Sequence, residues 1–226
     1  RFVDLGNVNC LGGNMENAQT HLAELVCQML EKNTFPVLLG GGHDIAYGHF
    51  TGIKKYVGGD KSIGIINFDA HFDLRTPDLE DSGKTGNSGT PFYQIAQNCK
   101  KWGIPFEYLC LGIRKDANSK VLFQTAQKLK VSFVEKLSFT MHHLEAIKTE
   151  IRRFMEKVDY LYVTIELDGF SSAYAPGTSA ASPMGFDPQI VLECLAEIIK
   201  SNKLISLDIA EMNPDYDLDY QTAKLA

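Results

Sequence analysis

Two short stretches of this 226-residue chain hold a cluster of side chains suited to binding metal. Phe68-Asp69-Ala70-His71-Phe72-Asp73 places ligand-type groups at every second position, and Ile165-Glu166-Leu167-Asp168 adds two more at the same spacing. In an extended chain, side chains two apart share a face. Asp69, His71 and Asp73 are therefore expected to converge, as are Glu166 and Asp168. No Lys or Arg stands between them, so the set repels itself unless a cation sits among it. A third stretch, Gly40-Gly41-Gly42-His43-Asp44, presents a histidine after glycines that permit close backbone approach. It carries neither of the glycine patterns that cradle phosphate, so a nucleotide loop is set aside. Two imidazoles and four carboxylates exceed the three protein ligands of a catalytic zinc. The oxygen-rich mixture suits two harder divalent ions, and imidazole beside carboxylate favours Mn²⁺ over Ca²⁺. Two such ions ~3.5–4 Å apart can lower the pKa of a shared water toward ~7, so metal-assisted hydrolysis is the expected chemistry.

The elements around these stretches read as alternating strands and helices. Short apolar runs predict strands at Arg1–Leu5, Thr34–Leu39, Ser62–Asn67, Phe106–Gly112, Val131–Val134, Tyr160–Ile165 and Lys203–Ile209. Helical stripes lie between them: Leu22, Leu25, Val26, Met29 and Leu30; the segment Ile45–Val57; Phe92–Asn98; and Ala117–Leu129. Two more follow, one with Leu144, Ile147, Ile151, Phe154, Met155 and Val158 behind a Thr140 cap. The other has Ile190, Val191, Cys194, Leu195, Ile198 and Ile199 behind Asp187-Pro188. Such alternation predicts an α/β fold with a mostly parallel sheet covered on both faces, in one domain spanning 1–226. Every candidate ligand follows a strand, and ligands bind at the carboxyl ends of an open parallel sheet. The polar segment from Arg75 to Pro91 is long enough to read as a functional loop. His21, His49, His142 and His143 read as surface or structural residues. The chain opens with a strand already under way, so a preceding N-terminal segment is expected.

Composition narrows the function. A net charge of -6 offers no basic footprint for nucleic acid or anionic membrane. No apolar run approaches the ~20 residues of a membrane span. Five cysteines without Cys-x-x-Cys spacing suggest reduced thiols and a cytoplasmic protein.

Gly41-Gly42-His43-Asp44, Phe68–Asp73 and Thr164-Ile165-Glu166-Leu167-Asp168-Gly169, with Ala175-Pro176-Gly177 behind them, resemble the signature blocks of the arginase, agmatinase and formimidoylglutamase superfamily. The resemblance implies a three-layer α/β/α sandwich, a binuclear manganese centre, a small amidine or guanidine substrate and a homo-oligomer. It would assign His43, Asp69, Asp73 and Glu166 to one Mn²⁺ ion, and Asp69, His71, Glu166 and Asp168 to the other. Asp69 and Glu166 would bridge, and Asp73 would also hold the attacking hydroxide. Glu211, in a block similar to the family's D-x-x-E-x-N-P, would accept hydrogen bonds from the amidine end of the substrate.

Within the superfamily, Gly86-Asn87-Ser88-Gly89-Thr90-Pro91-Phe92 is similar to formimidoylglutamases and lacks the histidine that arginases carry there. Arg75 stands where arginases have an Asn, and a guanidinium pairs well with a substrate carboxylate. The implied reaction is hydrolysis of N-formimidoyl-L-glutamate to glutamate and formamide, with Arg75, Asn87 and Ser88 as further substrate contacts. An ion pair of Arg75 with Asp78 or Glu80 is the competing role for that side chain. The family usually has Asp where this chain has Glu166, and the extra methylene shifts the carboxylate by ~1.5 Å. Two alternatives follow: a metal-poor, inactive relative, or a guanidino hydrolase that releases urea.

Overall fold

In the computed structural model, which describes residues 2–59, 61–77 and 86–226, the apolar runs become parallel strands. They are β1 (Val37–Leu39), β2 (Ile63–Phe68), β3 (Glu107–Ile113), β4 (Ser132–Glu135), β5 (Tyr160–Glu166) and β6 (Leu204–Ala210). One sheet holds them in the order β1-β6-β5-β2-β3-β4, with every neighbouring pair parallel. The helices are α1 (Met15–Glu31), α2 (Ile45–Val57), α3 (Pro91–Trp102), α4 (Lys120–Lys128), α5 (Leu144–Met155), α6 (Pro188–Lys200) and α7 (Gln221–Leu225).

The pleat sends alternate residues to opposite layers. Phe68, Leu161, Val163 and Ile165 pack against Ile151 and Phe154 of α5 and Ile190 and Cys194 of α6. Ile65, Tyr108, Cys110 and Tyr162 pack the other way, against Val26 of α1, Phe50 and Ile53 of α2 and Phe92 of α3. The result is the α/β/α sandwich expected from the sequence. Helices α1 and α2 lie backbone to backbone because Gly48 and Gly52 have no side chain at the crossing. A Cβ on Gly52 would sit 2.5 Å from the Ala23 carbonyl oxygen. This close fit fixes the start of α2, where the Gln19 amide donates to the Asp44 carbonyl at 2.8 Å.

From β2 the chain runs outward through β3 and β4, then returns to the other side of β2 for β5 and β6. The crevice at the carboxyl ends of β2 and β5 is thus a point where strand order reverses, the position at which open α/β sheets bind ligands.

Several element boundaries differ from expectation. Residues 2–5 form no strand; Phe2, Val3 and Leu5 are exposed, with no neighbouring strand to pair. Strand β1 shrinks to three residues because Pro36 brings no N–H to the ladder. Helix α3 runs on to Trp102, opened by Pro91 at its first position and closed by Gly103 in the left-handed region at φ 68°. Thr140 does not cap a backbone N–H; its hydroxyl meets His143 Nδ1 at 3.1 Å, and a 3₁₀ turn precedes α5. Asp187 does cap α6, accepting from the Gln189 N–H at 2.7 Å. His21, His142 and His143 are exposed, whereas His49 is fully buried. All five cysteines are free, and among the described residues no helix is long and apolar enough to cross a membrane.

Candidate metal centre

Beyond β2 the backbone leaves the sheet, so strand alternation does not hold Asp69, His71 and Asp73 together. Other contacts fold the segment. The Asp69 N–H donates to the Leu111 carbonyl at 3.0 Å, and the Arg114 N–H donates to the Ala70 carbonyl. Asn118, buried, accepts from the Phe72 N–H and donates to the carbonyls of Ala70 and Arg114. Asp73 then turns into the left-handed region at φ 48°. Such backbone is costly for a residue with a side chain and clusters at functional sites. Glu211, just past β6, is in the same region at φ 67°. Its N–H donates to the Gly41 carbonyl and its Oε1 accepts from the His43 N–H, both at 2.7 Å. The glycine run and the end of β6 are thereby tied to each other.

These turns bring His43, Asp69, Asp73 and Glu166 into one group and Asp69, His71, Glu166 and Asp168 into a second. Within each group one ligand atom per residue lies within 4.8 Å of the others. His43 Nδ1 is 2.8 Å from Asp73 Oδ2, 3.1 Å from Glu166 Oε1 and 3.6 Å from Asp69 Oδ2. His71 Nδ1 is 3.3 Å from Asp69 Oδ1 and 3.5 Å from both Glu166 Oε2 and Asp168 Oδ1. The longer Glu166 side chain presents one oxygen to each imidazole. His43 is sealed from solvent, while the His71 side chain is 21% exposed.

The electrostatics are those of an overcrowded anionic site. Burial pushes Glu166 well up, and the charges of Asp168, Asp69 and Asp73 add to it. Burial also lifts Asp73, to about 6, against the hydrogen bond from His43 and with the Asp69 charge adding to the rise. Burial alone would lower His43, yet its hydrogen bond to Asp73 and the surrounding carboxylates push it up to about 9. His71 moves well above its usual range for the same reason, against burial. Asp69 is held below the usual carboxylate range: hydrogen bonds from Glu166 and His71 overcome its burial. Protonation, in other words, relieves the same repulsion between carboxylates that a bound cation would. Even so, Glu166 Oε2 and Asp168 Oδ1 are buried without a hydrogen-bond partner. Orphaned carboxylate oxygens are costly, and two divalent ions would satisfy both. The donor set therefore fits a two-ion centre.

The residues expected to meet substrate lie at the mouth. Gly42 faces both Glu211 and Ser88; a Cβ there would sit 3.2 Å from Glu211 Oε1 and 3.4 Å from Ser88 Cβ. Glu211 is raised by burial, against the hydrogen bond from the His43 N–H. The Arg75 side chain lies across Gly89, whose carbonyl accepts from the Arg75 N–H at 2.9 Å. Arg75, Asn87 and Ser88 are exposed and share one turn, with Asn87 Oδ1 accepting from the Gly89 N–H. The alternative pairing of Arg75 with Asp78 or Glu80 falls outside the described residues. Three supporting residues were not anticipated. Asn118 pins the ligand loop, Asn67 donates to Asp69 Oδ2 at 2.9 Å, and Thr164 holds His43 Nε2 at 2.8 Å. For Asn67 and Thr164 the signal was present: each continues, two positions earlier, the polar side of a ligand-bearing strand. Asn118 had none, because it acts across a loop.

Comparison with known proteins agrees with this geometry. The arginase family model matches residues 1–226. The formimidoylglutamase of Clostridium tetani is 41% identical over 229 residues, covering 100% of this chain and 67% of the relative. That of Aeromonas hydrophila is 41% identical over 223 residues, covering 99% and 69%. The chain thus spans about two thirds of these relatives' length. Among solved structures, Bacillus subtilis formimidoylglutamase superposes with a TM-score of 0.85 at 23% identity, covering 98% of this chain and 67% of that one. Bacillus subtilis arginase gives 0.84 at 22%, covering 99% and 80%. Both share the fold.

Proposed function

This chain belongs to the arginase family, and we propose that it hydrolyses N-formimidoyl-L-glutamate to L-glutamate and formamide with two manganese ions. The observation that carries the reading is the identity of about 41% to formimidoylglutamases over nearly every residue of the chain. Manganese is supported by the mixed imidazole and carboxylate donors. A variant of Trypanosoma cruzi formiminoglutamase, 20% identical with a TM-score of 0.83, has been solved with Mn²⁺.

His43, Asp69, Asp73 and Glu166 would hold one ion, and Asp69, His71, Glu166 and Asp168 the other. When bound, the pair supplies Lewis-acid stabilisation of developing negative charge and an acidified water. The chain's own residues do the rest. Glu211 is fixed by the His43 N–H through Oε1, which leaves its other oxygen to grip the amidinium end. Arg75, Asn87 and Ser88 take the carboxylate end at the mouth. With both ends held, the amidine carbon is oriented for attack from the side of Asp73. Asp73, at the rim beside His43, would hold the attacking water, take its proton and return it to the departing glutamate nitrogen.

The test is direct: purify the full chain with Mn²⁺ and follow glutamate and formamide release from N-formimidoyl-L-glutamate, with agmatine and arginine as competitors. Urea release from either guanidine, with no formamide, would sink the assignment. The inactive-relative alternative finds no support in the position of Glu166, which reaches both imidazoles.

A further inference from the structure

Between the ligands His71 and Asp73 stands a side chain that the proposed reaction does not use. Phe72 is fully buried, and its ring packs away from the ion groups, between α4 and β4. It meets Phe123 of α4 edge-on, with ring centroids 5.1 Å apart at 87°. It meets Phe133 of β4 in the same way, at 5.2 Å and 89°. Phe123 and Phe133 meet each other at 5.9 Å and 68°. The three rings close a triangle of edge-to-face contacts, the arrangement that aromatic quadrupoles favour. Its outer corner is on the last strand of the sheet, where Phe133 is 38% exposed.

We infer that Phe123 and Phe133 are positioning residues for the metal centre: they anchor Phe72, and Phe72 holds its chain neighbours His71 and Asp73 at the two ion sites. This rests on the two-ion reading above. The segment beyond β2 has no ladder to keep its shape, so individual contacts must do so. Asn118 accepts from the Phe72 N–H at 3.0 Å and donates to the Ala70 carbonyl at 2.8 Å. The Tyr108 hydroxyl donates to the Phe72 carbonyl at 3.2 Å. Helix α4 therefore grips this residue twice, through Asn118 just before its first turn and through Phe123 within it.

The residue after Phe72 shows why the grip matters. Asp73 is at φ 48°, and left-handed backbone in a residue with a side chain persists only where its surroundings over-determine it. A buried aromatic ring brings about 150–250 Å² of contact to that task. With its seat loosened, the segment can relax on both sides of Phe72. Asp73 then draws back from the group it forms with His43, and His71 from the group it forms with Asp168. A displacement of ~0.5 Å is enough to matter for ligands.

The experiment is Mn²⁺ titration of the full chain by calorimetry, well below the melting temperature of every variant. Loss of global stability alone does not change affinity there, because the protein stays folded. Phe133→Ala opens the triangle at a part-exposed corner, and Phe123→Leu removes a ring while keeping bulk. Phe133→Tyr retains the ring. Ile198→Ala, in α6 on the opposite layer, is a core truncation away from the triangle. Phe133→Ala and Phe123→Leu should weaken both ions about 10-fold or more, the range for outer partners of metal ligands, with Phe133→Tyr within about threefold of the parent. Ile198→Ala should melt lower and bind both ions like the parent. In metal-free protein, amide hydrogen exchange across residues 70–74 should quicken in Phe133→Ala and not in Ile198→Ala.

Parent-like affinity in Phe133→Ala and Phe123→Leu overturns the inference. So does an equal weakening in Ile198→Ala, the mark of a purely structural role, or a Phe133→Tyr as weak as Phe133→Ala. Should Phe123→Leu fail to fold, Phe133→Ala decides alone. A parent chain that binds no Mn²⁺ overturns this inference together with the two-ion reading. A parent that binds two ions but releases no formamide defeats only the substrate assignment, and the affinities still decide the positioning role.

Discussion

Two histidine–carboxylate groupings share one face of this sheet and have opposite electrostatic character. Below the rim, His49 meets a single carboxylate, Asp208, which also accepts from Tyr162 and lies below its usual pKa. Donors there outnumber charges, and the group can remain ionised in the protein interior without an added cation. At the rim, His43 and His71 face Asp69, Asp73, Glu166 and Asp168. Acceptors win there: two carboxyls are pushed up, both imidazoles rise, and two oxygens stay unpaired. The same residue types give structure in one place and a ligand site in the other. What differs is the number of donors per carboxylate and the exit to solvent past His71.

The largest effect should come from the residue shared by both rim groups. Asp69→Asn should abolish uptake of both ions and cut turnover about 10³-fold, because two-metal stabilisation contributes several kcal/mol to the barrier. Metal analysis beside the formamide assay checks it, and retention of two ions would dissolve the distinction between rim and interior. Arg75→Ala touches neither grouping. It should raise KM for N-formimidoyl-L-glutamate about tenfold or more, the worth of a charge-assisted hydrogen bond, with metal content intact.

Acidity sharpens the comparison further. In metal-free protein Glu166 and Asp73 are raised above unfolded values near ~4.3 and ~3.9, so ionising them at higher pH works against the fold. His43, raised to about 9, contributes stability that is complete below its unfolded pKa near ~6.5 and is lost as pH climbs through about 9. All three effects have one sign. Asp208, lowered, contributes above ~3.9 and is constant over this window. Metal-free protein should therefore melt at least about 3 °C higher at about pH 6 than at about pH 9, given ~2–4 °C per kcal/mol at this size. The stabilisation added by Mn²⁺ should run the other way, because the ligands must lose protons to bind. Melting curves with EDTA and with Mn²⁺ test both halves. The smallest effect belongs to His142, exposed and outside both groupings: His142→Ala should stay within about 0.5 kcal/mol of the parent in stability.

Much of this was legible in the chain before any coordinates. The strands β2, β3 and β5 are buried on both faces and so read as dense apolar runs, whereas one face of β6 is only half-buried. The six candidate ligands follow strands at the spacing that made them conspicuous. Residues 2–5 misled because a short apolar run carries strand character whether or not a partner strand lies beside it. Asn118 was invisible because its partners, Phe72 and Ala70, are more than forty residues away.

Local pattern, then, determined the layered α/β fold and which side chains were chemically unusual. Strand spacing and glycine runs are written within a few residues of each other. Tertiary structure alone decided that His43 turns Nδ1 toward Glu166 and Nε2 toward Thr164, that Glu166 reaches both imidazoles, and that Asp208 accepts from both His49 and Tyr162. Each of those outcomes depends on how many donors from distant elements reach one carboxylate, and that number exists only after the sheet has assembled.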